Sequence, residues 1–253
     1  MLKTSMALGQ PIHRFEEVLS TNAVAIDLHH RGASEGTLVV ADAQTRGRGR
    51  LGREWISPSG VNLYCSYILR AGNPEWISWV PLIASMAVAS AIHAETELNA
   101  RIKWPNDVLI EGLKVAGVLA ETVSDGGEVQ RVILGIGVNV NMPIASLPSS
   151  VQSTTTSLFE HLGESIDRNQ LLTRLTDALD AQYQNFWNSD TSDIVREYLS
   201  ISDTIGRRVI AHLPVGGPVE GLADGIESDG SLRLRRGQGD MEIIRSADIV
   251  HLR

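Results

Sequence analysis

Gln44-Thr45-Arg46-Gly47-Arg48-Gly49-Arg50-Leu51-Gly52-Arg53-Glu54-Trp55 is the segment on which the fold assignment turns. Gly47 to Gly52 satisfies the G-x-G-x-x-G spacing of a dinucleotide-binding turn. Such a turn opens a helix, and an acidic residue about twenty positions later holds a ribose hydroxyl. Here Ile56-Ser57-Pro58-Ser59-Gly60 follows, and then a strand-like run at residues 61–69. The segment is therefore a loop between strands, and the Rossmann reading is set aside. Three arginines and three glycines stand within residues 47–53. Guanidinium groups are fixed planar donors for phosphate or carboxylate. Glycines let the backbone bend and come close to an anion. A solvated basic loop is the plain reading; a loop that holds an anionic small molecule is the functional one.

The composition favours the second. A chain of 253 residues with 43% hydrophobic and 21% charged residues can bury one large core and carry a small appended domain. Its formal net charge is -8, which argues against the broad basic face that nucleic acid or an anionic membrane requires. Cys65 is the single cysteine, so an intrachain disulfide and a cysteine-based zinc site are excluded, and it reads as a small core residue. The histidines show no metal-ligand spacing, so no metal site is expected. No signal-peptide pattern and no run of transmembrane length is read, and a soluble cytoplasmic protein is expected. Lysine occurs only at Lys3, Lys103 and Lys114, against nineteen arginines. Coding bias explains that ratio, but it leaves Lys103 and Lys114 as places where a compact ammonium is wanted.

The chain reads as alternating helix and strand, then as strand alone. The first dozen residues form a loose lead-in. Ser20-Thr21-Asn22 caps a short helix. Strands are expected at residues 37–42, 61–69, 101–104, 108–110 and 115–123. Asp125-Gly126-Gly127 then turns the chain into a strand over 129–140. A long apolar helix is expected from Pro74 to about Glu97, and further helices at 168–187 and 194–200. Residues 143–157, rich in Ser, Thr and Pro, read as a surface loop. Beyond about Ser202, short strands alternate with Gly, Pro and Asp-Gly turns, which suggests a small antiparallel barrel.

Two more constellations carry chemistry. Lys103-Trp104-Pro105-Asn106-Asp107 is followed by Lys114-Val115-Ala116-Gly117. A hairpin corner with a packed tryptophan accounts for Pro105, Asn106 and Asp107 but not for the two lysines. In Gly135-Ile136-Gly137-Val138-Asn139-Val140-Asn141, strand glycines can mark the close approach of a ligand. Alternation puts Asn139 and Asn141 on one face; a strand-end turn is the competing reading.

In this order, Ser20-Thr21-Asn22, Gln44 to Arg50, Lys103 to Asp107, Lys114 to Gly117 and Gly137 to Asn141 resemble the bacterial biotin protein ligases over essentially the whole chain. The resemblance implies an α/β (α+β) fold: a mixed-sheet catalytic domain of the biotin/lipoate ligase type, related to class II aminoacyl-tRNA synthetases, at residues 1–202. A small SH3-like β-barrel at 203–253 completes it. It implies that biotin and ATP form biotinyl-5′-AMP, that the biotinyl group passes to a lysine of a biotin carboxyl carrier protein domain, and that Mg²⁺ arrives mainly on the phosphates.

Residue by residue, the resemblance implies that Ser20, Thr21, Asn22 and Gln44 bind the ureido ring of biotin. It places Arg48, Gly49 and Arg50 at the carboxylate and phosphate end, on a loop that closes over ligand, with Trp55 packing there. Lys114 is implied beside the biotin carboxylate and α-phosphate, Lys103 and Asn106 in the same pocket, Asn139 at the adenine, and Asp107 at the acceptor amine. A homodimer is compatible with the family. Only nineteen residues precede Ser20, so no DNA-binding helix-turn-helix domain is expected. A lipoate ligase, which shares fold and chemistry, usually shows Arg-Arg and Gly-Gly-Gly where this chain has Gly47 to Gly52. A biotin-binding sensor would have little use for Lys114 and Asp107.

Overall fold

The computed structural model describes residues 7–72, 74–188, 191–237 and 239–252; Lys3 lies outside them. A seven-stranded mixed sheet forms the larger part, in the spatial order β1-β2-β3-β7-β6-β5-β4. Its strands are β1 (Ile12–Val18), β2 (Leu38–Gln44), β3 (Leu63–Arg70), β4 (Arg101–Lys103), β5 (Asp107–Ile110), β6 (Leu113–Asp125) and β7 (Glu128–Val138). Only β1 and β2 run parallel; every other neighbouring pair is antiparallel. β1 was not foreseen. It is an edge strand whose side chains are exposed or half-exposed throughout, so it has no apolar alternation to read. β2 and β3 are nearly continuous apolar runs because both faces are covered.

Six helices complete the chain: α1 (Thr21–His30), α2 (Pro74–Thr96), α3 (Ser149–Gln152), α4 (Leu158–Leu162), α5 (Arg168–Asn188) and α6 (Thr191–Ile201). α2 packs against α5 and the sheet. By length and apolarity α2 could cross a bilayer, contrary to the expectation that no run reaches that size. Its Trp76, Trp79, Ile83 and Met86 are instead core residues. The opposite face of the sheet carries α1, whose Ala25 packs on Val39, Ile68 and Ile133. Beyond that short helix, the same face continues to Gly135 and Gly137, which follow Ile133 at the strand period of two and are covered by Asn22 and Trp55.

The C-terminal strands β8 (Arg208–His212), β9 (Val219–Ile226), β10 (Leu232–Arg235), β11 (Met241–Ile244) and β12 (Asp248–His251) form an antiparallel sheet in the order β11-β10-β9-β8-β12. This sheet is fastened to the corner between β4 and β5. The Trp104 indole N–H donates to the Gly230 carbonyl (3.1 Å) and the Trp104 backbone N–H to Thr204 Oγ1 (3.0 Å). Trp79 Nε1 donates to the Ser228 carbonyl at 2.8 Å. Trp104-Pro105 is a cis peptide.

Candidate active site

Sheet register builds the site. Lys103 pairs with Asp107, Asp107 with Gly117, and Gly117 with Gly137. A tight turn with positive φ at Glu111 and Gly112 returns β5 into β6, and a bulge follows Val108. Lys114 is thereby brought back beside the start of β5, with Nζ 2.5 Å from Asp107 Oδ1. The two side chains are 30% and 24% exposed, half-buried at the edge of a cavity of about 290 Å³.

One end of this cavity is neutral and buried. Ser20 stands at the N-cap of α1 but makes no capping hydrogen bond with its side chain, and it lines the cavity. Gln44 Oε1 accepts from the Thr21 backbone N–H (2.9 Å) and hydroxyl (3.2 Å). Gln44 Nε2 donates to Ser57 Oγ at 3.0 Å. Ser66 Oγ lies 2.7 Å from Thr21 Oγ1 and 2.6 Å from Asn22 Oδ1. Asn22 Nδ2 donates to Glu121 Oε2 at 2.7 Å. These amides and hydroxyls hold one another in fixed orientations before any ligand arrives.

The other end is charged. Arg48 Nη2 donates to Glu121 Oε2 at 3.0 Å. Arg50 Nη1 reaches Asn106 Oδ1 and the Ala247 carbonyl, both at 3.2 Å, and Nη2 reaches Ser246 Oγ at 3.0 Å. Arg53 pairs with Asp248. Burial and, secondarily, neighbouring charge bear on two cations here. Desolvation lowers the Arg50 pKa, with Asp107 opposing the shift. Lys103 is lowered the same way, again against Asp107.

The strand glycines have a more specific use than close approach of a ligand. A Cβ on Gly135 would lie 2.3 Å from Asn22 Oδ1, and one on Gly137 would lie 2.5 Å from Trp55 Nε1. The side chains of Asn22 and Trp55 therefore occupy the space those glycines leave. Lys114 Nζ sits 5.4 Å from the Trp55 ring centroid, a cation–π distance. Trp55 Nε1 is buried without a hydrogen-bond partner and borders the cavity. Gly47 has an equally local reason: a Cβ there would meet the Trp55 carbonyl at 2.3 Å. The arginine loop closes on itself through that approach, with the Trp55 N–H donating to the Gly47 carbonyl at 2.9 Å.

Residues 143–157 are more than a surface loop. Lys114 and Thr155 form a parallel bridge, with the Lys114 N–H donating to the Thr154 carbonyl at 2.9 Å. Leu147, Val151, Thr154 and Thr155 consequently wall the cavity beside Asn139. Asn139 is buried and its Nδ2 donates to the Thr156 carbonyl at 3.0 Å. Asn141, which like Asn139 lies past the end of β7, is not among the lining residues; its side-chain amide fastens residue 166 through both its nitrogen and its oxygen.

Of the residues singled out in the sequence, Ser20, Thr21, Asn22, Gln44, Arg48, Gly49, Arg50, Trp55, Asn106, Asp107, Lys114 and Asn139 line this one cavity. Lys103 is not among the lining residues. It stands next to them all the same: the charges of Asp107, Lys114 and Arg53 act on it, and it in turn lowers the pKa of His251 on the small sheet. Arg53 and Asp248 line the cavity and Glu121 holds two of its lining side chains, yet none was singled out. Arg53 could have been, since it continues the Arg-Gly run.

Residues 15–139 match the biotin/lipoate A/B protein ligase family, and residues 204–252 match the biotin protein ligase C-terminal domain. The bifunctional ligase/repressor BirA of Bacillus subtilis is 36% identical over 249 residues, covering 98% of this chain and 76% of that protein. The biotin--[acetyl-CoA-carboxylase] ligase of Mycobacterium tuberculosis is 33% identical over 255 residues, covering 97% and 91%. Among solved structures, the biotin protein ligase of Aquifex aeolicus in complex with biotin and ATP superposes with a TM-score of 0.82 at 29% identity, covering 96% of this chain and 99% of that one. In both its halves, then, and in the geometry that joins them, this chain belongs to the biotin protein ligases of the biotin/lipoate A/B protein ligase family.

Proposed function

We propose that the chain, with residues 1–202 as catalytic unit and 203–253 as a closing unit, adenylates biotin with ATP and transfers the biotinyl group to a lysine of a biotin carboxyl carrier protein domain. The observation that carries this reading is a single cavity with a neutral hydrogen-bonding end and a cationic end, meeting at Lys114. A ureido ring offers donors and an acceptor but no charge, which suits Ser20, Thr21, Asn22 and Gln44. A valerate-length carboxylate then points towards Lys114 and the arginines.

In the first step a biotin carboxylate oxygen attacks the α-phosphorus of ATP. The bond from that phosphorus to the bridging oxygen breaks, and pyrophosphate leaves with the electron pair. Both partners are anions, so the barrier contains their repulsion. Lys114, Arg48 and Arg50 offset it most where charge gathers on the non-bridging oxygens. No three of His, Cys, Asp and Glu stand together as a metal cage among the described residues. Asp107, Glu121 and Asp248 are each paired with a cation. These residues do not make a resident Mg²⁺ site, and a divalent ion would come with the triphosphate as part of the substrate.

In the second step the acceptor amine attacks the acyl carbon, and the bond to the adenylate oxygen breaks to release AMP. The nitrogen must shed a proton, and Asp107 is the carboxylate at the right end of the cavity to orient the amine and take it. Residues 147–155 and Asn139 supply the wall for the adenine. Biotin-dependent exchange of labelled pyrophosphate into ATP tests the assignment. Exchange with biotin and none with lipoate is expected; exchange with lipoate alone would overturn it.

A further inference from the structure

We infer that Asp248, on the small C-terminal sheet, is a positioning residue for the adenylation site: it latches the arginine loop over the cavity and sets how long the adenylate is retained. This rests on the ligase reading above.

The loop carrying residues 47–55 is exposed at residue 48 and over residues 51–54. It is a short two-stranded turn, with Arg48 bridged to Glu54, a single 3₁₀ turn at its tip and Leu51 exposed in the left-handed region (φ 55°). A segment like that, with little buried surface, opens locally at low cost. Its outer anchor is made by three consecutive residues, Ser246, Ala247 and Asp248, that lead into β12. The Ser246 hydroxyl and Ala247 carbonyl accept from Arg50, and the Asp248 carboxylate pairs with Arg53 and stands 4.0 Å from Arg50. Asp248 is itself a lining residue of the cavity, so this contact is made at the site and not on a remote surface.

The anchor is firm because the small sheet is. Trp104 is 2% exposed, and its indole and backbone N–H groups are both bonded into that sheet's side of the corner. Asp203 N–H donates to the Ile102 carbonyl at 2.7 Å. A largely exposed loop is therefore tied to a part held by the same corner that presents Asn106 and Asp107. Arg50 uses three of its five N–H donors on Asn106, Ala247 and Ser246. Two remain for a substrate anion, already aimed by the other three. Asp248 touches no reacting atom in this scheme; it acts through Arg53 and Arg50.

The test uses the full chain with Asp248→Asn, which keeps the shape and removes the charge. Trypsin cleaves after Arg46, Arg48, Arg50 and Arg53, so nicking of the loop reports its opening without any ligand. Nicking at those sites should rise about three- to fivefold, the range that one partly exposed ion pair permits, with no change elsewhere and no change in Tm. Leakage of biotinyl-5′-AMP should rise by a similar factor, and Asp248→Glu should return both towards the parent. Loop nicking equal to the parent's, or an equal acceleration at sites all over the chain, would overturn the latch. If D248N is insoluble, Ser246→Ala removes one of the Arg50 bonds and should give about a twofold rise at the loop alone. A parent protein that forms no adenylate but still shows loop-specific nicking in D248N would sink the ligase reading and leave the latch standing.

Discussion

The neutral end of the cavity and the charged end are built on opposite plans. At the neutral end, Thr21, Asn22 and Ser66 are at most 4% exposed and fixed by bonds among themselves and to Gln44, part of it rigid sheet and helix. At the charged end, Arg48 and Arg53 are 46% and 64% exposed, on a loop, and each is paired with a carboxylate. The first can bind a ligand with no rearrangement. On the proposed function the second exchanges a protein carboxylate for a substrate phosphate, which is cheap only because those pairs are solvent-screened. The side chains are thus pre-arranged at the uncharged end and exchangeable at the charged one.

The largest effect should come from the junction of the two ends. Lys114→Ala removes the ammonium proposed to serve both carboxylate and phosphate, and biotin-dependent pyrophosphate exchange should fall about 10²- to 10³-fold. Biotin binding by calorimetry should fall much less; equal losses would mean the two ends are not separable. Asp107→Asn keeps the shape and removes the carboxylate proposed as the base. Single-turnover transfer from isolated biotinyl-5′-AMP to a carrier domain should slow about a hundredfold, with exchange changed little. At the neutral end, Gly135→Ala drives a methyl into Asn22. Overpacking of about 1–3 kcal/mol should weaken biotin roughly five- to a hundredfold and leave the KM for ATP in place. A parallel loss for ATP would break the contrast drawn here.

The smallest effect belongs to the joint behind the charged end. His251 is held down to about 4 by burial first and by Lys103 second, against Asp203. A histidine depressed when folded binds its proton more readily in the unfolded chain, so stability should fall as pH drops from about 6.5 towards 4. The slope of Tm with pH in that window should flatten in His251→Gln. An unchanged slope would assign the acid sensitivity to the carboxylate pairs of the site.

What could be read from the chain follows the same division. Ser20 to Asn22, Gln44, Asn106, Asp107 and Lys114 are legible because they sit within short motifs that place them locally, at a helix start, a strand end or a tight turn. Ser66 gives no such signal. Nothing in Tyr64-Cys65-Ser66-Tyr67 tells which neighbour its hydroxyl meets, because that depends on α1 crossing β3. Glu121 looks like an ordinary outward residue of a long strand until β6 is paired to β7 in register with Ile133. Lys103 shares the motif and the register of Asp107 but does not itself line the cavity. The wall at 147–155 was hidden because a Ser- and Thr-rich run does not announce that it will bridge to Lys114. The β1 strand was hidden by its exposure.

Arg50 and the carbonyl it grips at Ala247 are 197 positions apart. At roughly 5–20 residues per second on the ribosome, a nascent chain displays its arginine-rich turn for roughly 10–40 s before that partner is even polymerised. During this interval the catalytic half can have its sheet but not its fastening, so the newborn enzyme is more open to proteases and to stray anions than the finished one.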